Sequence, residues 1–319
     1  MRLTRPPARL PVHSRRTARH RTAPASLILS LALVTPAASH PSQNTTPVHA
    51  ASAQFDIAST NAGGTYRILI HVPEGKMPPQ GYPVLYVTDG NWLCPLATAI
   101  SDTLSKNLAD RPAIICIGYP TDNDAVINAR RLHDFTDKAR DIPPTLQWGS
   151  LDSSGGADAF GKFIQYEVRP TVEKRLPADP ARTALFGHSL GGRFTLSLYL
   201  HHPDWFTAFI AGSPALWWNR PDLDNTLKKL AINEQATQNR RMPPLLMETG
   251  SLEQQPDEEP VVNINAYKML DNFRSWTDEV AATHLAGTHM HIIDNETHTS
   301  ARAPELDHAI RFAFPHTAP

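Results

Sequence analysis

The sequence predicts an α/β domain, a mostly parallel central sheet flanked by helices on both faces. Short apolar, β-branched runs alternate with longer helical patterns throughout residues 56–319. The last of these runs lack a sustained apolar–polar alternation, as expected for strands covered by helices on both sides. No internal repeat divides the segment, so its length goes into a single domain.

The elements begin after a leader. Residues 1–22 are rich in Arg, Pro and Thr, Ala25–Val34 is apolar, and Pro36-Ala-Ala-Ser39 supplies small residues. Basic, apolar and small segments in that order read as a secretory signal peptide over residues 1–39. Pro24 and Pro36 bracket the apolar stretch, which speaks against a helix of the folded domain. Residues 40–55 read as a flexible linker, leaving 56–319 as the folded domain. Export, most simply to a periplasm, is the expected destination. No apolar run approaches the roughly 18 residues of a membrane-spanning helix.

The leader also distorts the charge. The 319 residues carry a formal net charge of −1, but the first 55 hold seven arginines and no acid. That leaves 23 basic and 31 acidic side chains for residues 56–319, a charge of −8. An acidic domain is a poor nucleic-acid binder. Two cysteines, Cys94 and Cys116, exclude a disulfide framework or a four-cysteine zinc site. Export permits a bridge between them, but Cys116 sits inside an apolar run and reads as a small core residue.

Strands are expected at Tyr66–Val72, Pro83–Thr88, Ala113–Tyr119, Thr183–Phe186, Ala208–Ala211, Leu245–Glu248 and His289–Ile293. Helices are expected near residues 95–108, 157–175, 190–201, 263–284 and 302–313. The connection 120–156 reads as one long functional loop, rich in Asp, Arg, Pro, Ser and Gly.

Gly187-His188-Ser189-Leu190-Gly191-Gly192 fits the pattern G-x-S-x-G, between the strand Thr183–Phe186 and an amphipathic helix from Arg193. Strand, tight turn and helix are the setting in which a nucleophilic serine is held exposed in the α/β-hydrolase fold. Serine needs a base to accept its proton. In this fold the base follows the last strand, which selects His298; the acid follows the penultimate strand, which puts Glu253 first with Asp257, Glu258 and Glu259 as alternatives. The oxyanion would be held by two backbone N–H groups, those of Leu190 and of Asn91 in the Asp-Gly-Asn turn after Pro83–Thr88. His289 and His291 share a strand face, and His284 lies nearby. With no carboxylate or cysteine at ligand spacing on an adjacent expected element, they read as structural histidines. No metal or cofactor is expected.

Tyr86-Val-Thr-Asp-Gly-Asn91, Gly155-Gly-Ala-Asp-Ala-Phe160, the run from Asp179 to Gly192, Gly212-Ser-Pro-Ala-Leu-Trp-Trp-Asn219 and Glu296-Thr-His298 occur in the order seen in esterase D-like α/β hydrolases. More narrowly, residues 55–315 resemble the branch of enterobactin, salmochelin and bacillibactin esterases. The resemblance implies a serine esterase hydrolysing siderophore esters, such as a trilactone, to release iron. It places the nucleophile at Ser189, the base at His298 and the oxyanion donors at Asn91 and Leu190. It departs at Asp137, where many relatives carry proline. For an anionic ferric catecholate as small-molecule partner, Arg130 and Arg131 would attract charge and Trp217 or Trp218 would stack on catechol rings. An exported esterase for other small or sugar acyl esters, and a non-catalytic periplasmic siderophore binder, are the alternatives.

Overall fold

Eight strands form one sheet in the order β1-β2-β4-β3-β5-β6-β7-β8 in a computed structural model that describes residues 51–104, 111–138, 151–237, 242–255, 267–283 and 287–315. The signal peptide and most of the linker lie outside the described residues, as do Asp257, Glu258, Glu259 and His284. The strands are β1 (Ala51–Ala58), β2 (Thr65–His71), β3 (Tyr82–Val87), β4 (Ala113–Gly118), β5 (Ala178–His188), β6 (Ala208–Gly212), β7 (Leu245–Gly250) and β8 (Thr288–Ile293). β2 runs antiparallel to β1 and β4, and every pairing from β4 to β8 is parallel.

β1 corrects the linker boundary. Residues 51–55 are already strand, paired with β2. Ala53, Phe55 and Ile57 turn toward the core while Gln54 and Asp56 face out, the period-two pattern of an edge strand.

Successive strand residues feed two opposite cores. Val84, Tyr86, Ile115, Leu185 and Phe209 face one side; Leu85, Val87, Ile114, Phe186 and Ile210 face the other. The second side is covered by α1 (Gly90–Leu104) and α8 (Arg302–Ala313). The first is covered by α2 (Asp124–Asp134), α3 (Ala157–Phe163), α4 (Arg169–Glu173), α5 (Leu190–His201), α6 (Arg220–Thr237) and α7 (Met269–Thr283). A π turn, Ile164–Val168, makes α3 and α4 nearly continuous. The long connection after β4 is therefore not all loop, since it contains α2.

Cys116 faces the second core, where it is bonded to Cys94 of α1. The reading of Cys116 as a free core residue is corrected: it is fully buried and also half of a disulfide. Its neighbours alone predict burial; only the register of α1 over β4 reveals the partner. With the cysteines 22 positions apart, closing the loop stabilises the fold by about 3 kcal/mol in the chain-entropy account. The bond fixes α1, whose first turn belongs to the site described next.

Candidate active site

After β3 the chain crosses to β4 on one side, and β5 then lies against β3 on the other. Such a reversal opens a crevice at the carboxyl ends of the strands. The turns after β3 and β5 meet there.

Ser189 occupies the turn between β5 and α5 with φ 61° and ψ −118°, a conformation side chains rarely adopt. Gly187 is required just before it, because a Cβ there would lie 2.1 Å from the Gly191 carbonyl oxygen. The Ser189 Oγ is 3.0 Å from His298 Nε2. His298 Nδ1 is 2.9 Å from Glu253 Oε2. The loops that carry His298 and Glu253 are laced together: Ser251 N–H donates to the Ile293 carbonyl and Leu252 N–H to that of Glu296. Glu253 is fully buried and accepts from the Gly250 N–H at 2.8 Å. Burial would raise its carboxyl, but the His298 charge and hydrogen bond, Ser213 and the Gly250 amide outweigh it and hold it at about 2.

Leu190 and Asn91 lie in the first turns of α5 and α1, where backbone N–H groups have no intrahelical partner. The Asn91 side chain anchors its turn to the end of β4, accepting from Tyr119 N–H and donating to the Tyr119 and Thr121 carbonyls. Both residues line, with Ser189 and His298, one cavity of about 660 Å³.

Behind the acid lies a second carboxylate that sequence reasoning missed. Ser213 Oγ contacts Glu253 Oε1 on one side and Glu305 Oε1, from α8, on the other at 2.5 Å. Glu305 Oε2 is 2.7 Å from His188 Nδ1, and all four side chains are buried. One hydroxyl proton cannot serve two carboxylates, so Glu305 supplies another: it donates to Ser213, which donates to Glu253. Burial and the neighbouring Glu253 charge push Glu305 up to about 8. Burial and the His298 charge push His188 down, so its neutral Nδ1–H donates to Glu305. Gly212 makes room, since a Cβ there would lie 2.3 Å from Glu305 Oε2. Glu305→Gln preserves this donor–acceptor pattern, so its activity is expected to stay within a few-fold of wild type. Glu305 keeps its proton to about pH 8 when folded but releases it near 4.5 when unfolded. Its contribution is therefore fully present below 4.5 and lost as pH rises toward 8. Denaturant melts across that range should show a falling stability that Glu305→Gln flattens; an unchanged slope would refute the assignment.

The four residues expected to bind substrate separate. Trp217 lines the cavity and stacks on Tyr267 at 4.3 Å. Trp218 is corrected: it is 1% exposed, with its Nε1–H on the Asp137 carbonyl, and offers no face to a ligand. Arg131 reaches the cavity wall, but Asp89 holds it bidentately at 2.5 and 2.9 Å. Arg130 is corrected too, for it lines a different cavity of about 580 Å³, its guanidinium over the Tyr66 and Tyr119 rings. The cation that the sequence did not single out is Arg302, at the start of α8, which lines the Ser189 cavity and whose buried Nε has no hydrogen-bond partner among the described residues. Asp137, where the motif departs from its relatives, pairs with the buried Arg193 of α5 at 3.1 Å and braces the elbow helix. Finally, the expectation that no carboxylate stands near His291 is overturned: Glu248 lies opposite it in the β7–β8 register.

A strand–elbow–helix serine hydrogen-bonded to a histidine and a buried carboxylate defines a serine hydrolase of the α/β-hydrolase fold. Residues 59–294 match the family described as "Putative esterase", and the chain belongs to that family, a carboxylic ester hydrolase. It is 32% identical over 270 residues to the ferri-bacillibactin esterase BesA of Bacillus subtilis, covering 81% of this chain and 88% of that protein. It is 33% identical over 249 residues to the siderophore enterobactin esterase of Emericella nidulans, covering 72% and 80%. Among solved structures, the siderophore hydrolase EstA from Aspergillus nidulans superposes with a TM-score of 0.72 at 28% identity, covering 83% of this chain and 95% of that one.

Proposed function

We propose that this chain is an exported siderophore esterase that cleaves ester bonds through an acyl-enzyme on Ser189. The observation that carries the reading is the continuous relay from Ser189 through His298 to Glu253, opening into an aromatic cavity that also holds Arg302. His298 Nε2 takes the Ser189 proton as Oγ attacks the ester carbonyl. The oxyanion is met by the N–H groups of Leu190 and Asn91, first-turn amides already fixed before the charge develops. His298 then protonates the leaving alkoxide, and water repeats the steps on the acyl-enzyme. Glu253 orients the imidazole throughout and stabilises its charged form.

The relatives named as siderophore esterases support the substrate class. The cavity's chemistry supports it as well. The half-buried Trp92 and Trp217 offer ring faces for catechols, and Arg302 offers a positive charge. The basic–apolar–small order of residues 1–39 supports export, and a disulfide suits an oxidising compartment. Among the described residues no helix is long and apolar enough to cross a membrane.

The test is hydrolysis of ferric and iron-free catecholate trilactones beside p-nitrophenyl acetate, with product analysis. Trilactone opening is expected, and Arg302→Ala should raise KM for the ferric ligand about tenfold while leaving KM for the neutral ester within twofold, as loss of one charge-assisted contact does. An enzyme that hydrolyses p-nitrophenyl acetate but no trilactone would exclude the siderophore reading while leaving the esterase intact.

A further inference from the structure

Outside the catalytic cavity, three elements bring nitrogen and oxygen ligands to one point. Glu248 of β7 lies directly opposite His291 of β8, and His308 descends from α8. Both imidazoles direct Nδ1 at the same carboxylate oxygen: His291 at 2.9 Å and His308 at 2.7 Å from Glu248 Oε1. One ligand atom from each of the three residues lies within 4.8 Å of the others. The second carboxylate oxygen, Oε2, is buried and has no hydrogen-bond partner among the described residues, although Glu248 is only 1% exposed. The histidine side chains are 54% and 37% exposed, so the cluster opens to solvent on one side only.

We propose that Glu248, His291 and His308 form a binding site for a divalent first-row transition-metal ion, with zinc the best fit. Two imidazole nitrogens and one carboxylate oxygen are a ligand set that zinc takes, with water in a fourth position. The open solvent side supplies that position. Calcium and magnesium prefer oxygen-only shells, and copper(I) prefers sulfur ligands, so neither class suits this set. Among the described residues no donor reaches the buried Oε2, so Glu248 keeps acceptor capacity that the fold does not use.

The ion would bind three elements whose other residues build the catalytic relay. β7 leads into Glu253, β8 leads into His298, and α8 carries Glu305. None of the three ligands lines the cavity that holds Ser189. Metal binding is therefore expected to stabilise the fold, and it stands or falls independently of the siderophore reading.

The experiment uses the full chain, free of affinity tags and stripped with a chelator. Zinc chloride is titrated by calorimetry, and Tm is followed with and without zinc. Saturable uptake of one equivalent and a rise in Tm are expected for wild type, because an ion that binds only the folded state stabilises it by mass action. His291→Asn and His308→Asn should each weaken the affinity by more than the roughly tenfold lost with an outer-shell partner, and should abolish the zinc-dependent rise in Tm. Both substitutions lie at partly exposed positions, and retained esterase activity without zinc shows that the variants fold. Glu248→Gln is the third variant, and it is read only for zinc uptake. Zinc uptake by the histidine variants equal to that of wild type would overturn the site, as would a wild type that takes up none.

Discussion

Ser189→Ala is expected to lower kcat on an ester by about 10⁵-fold or more, and adding His298→Ala to it should lose almost nothing further. The two side chains form one device: the 3.0 Å contact between Oγ and Nε2 moves a single proton, so removing either end removes the whole step. What remains is the catalysis supplied by Leu190, Asn91 and the cavity, which hold the carbonyl oxygen without a nucleophile. Initial rates on p-nitrophenyl acetate for the two single variants and the double variant decide it. Multiplying losses would mean that His298 acts on something other than Ser189.

The next largest effect is expected at Glu253. Glu253→Gln should lower kcat by about 10⁴-fold with little change in KM, the scale seen when an acid of this kind becomes an amide. Three donors converge on the carboxylate: His298 Nδ1–H, the Gly250 N–H and the Ser213 hydroxyl. An amide has one acceptor oxygen and two N–H groups, so it cannot receive all three. Facing an N–H, His298 Nδ1 becomes the acceptor and the ring proton moves to Nε2, where it blocks acceptance of the Ser189 proton. Steady-state kinetics together with Tm would separate this from misfolding. A variant with normal Tm and wild-type kcat would show that Ser189 and His298 suffice. Because the Glu253 carboxyl is held at about 2, it stays ionised across the working range, and an acid limb above pH 3 would have to come from another group.

The strands that build the sheet were legible wherever an apolar run was long enough to be buried on both faces. β3, β4 and β6 match their expected positions to within a residue or two. β1 was missed because Ala51–Ala58 is dominated by small and polar residues, and its inward alternation is carried by Ala53, Phe55 and Ile57 alone. α2 was missed for a related reason. Arg131 and Asp134 belong to its buried face, satisfied by Asp89 and Tyr119 rather than by apolar packing. Among the described side chains of α6 only Leu223 and Leu227 are buried, so its pattern is faint.

At the site, Ser189 and His298 were legible because their neighbours in sequence create their setting. Glu253 was one of several acids after β7, and only the lacing of its loop to Ile293 and Glu296 distinguishes it. Glu305 and Glu248 gave no signal at all. A carboxylate that shares a proton with a serine 92 residues away, or that meets two histidines from separate elements, is created by register and helix placement. The same holds for Arg130 and Arg131: their clustering was visible, whereas the rings and carboxylate that occupy them were not.

The backbone around this site stores work that folding alone would never select. Asp89, Ser189, Ser213 and Asn295 all hold positive φ without being glycine. Residues in such conformations cost on the order of 1–3 kcal/mol each, a large share of the stability of any domain. Glycine at any of the four would relax the chain. Natural drift toward a sturdier fold therefore runs against the enzyme, and at position 189 the sturdier molecule is an inert one. The serine persists in that posture only while turnover itself is under selection, so among descendants that no longer need the reaction this elbow should be among the first places to change.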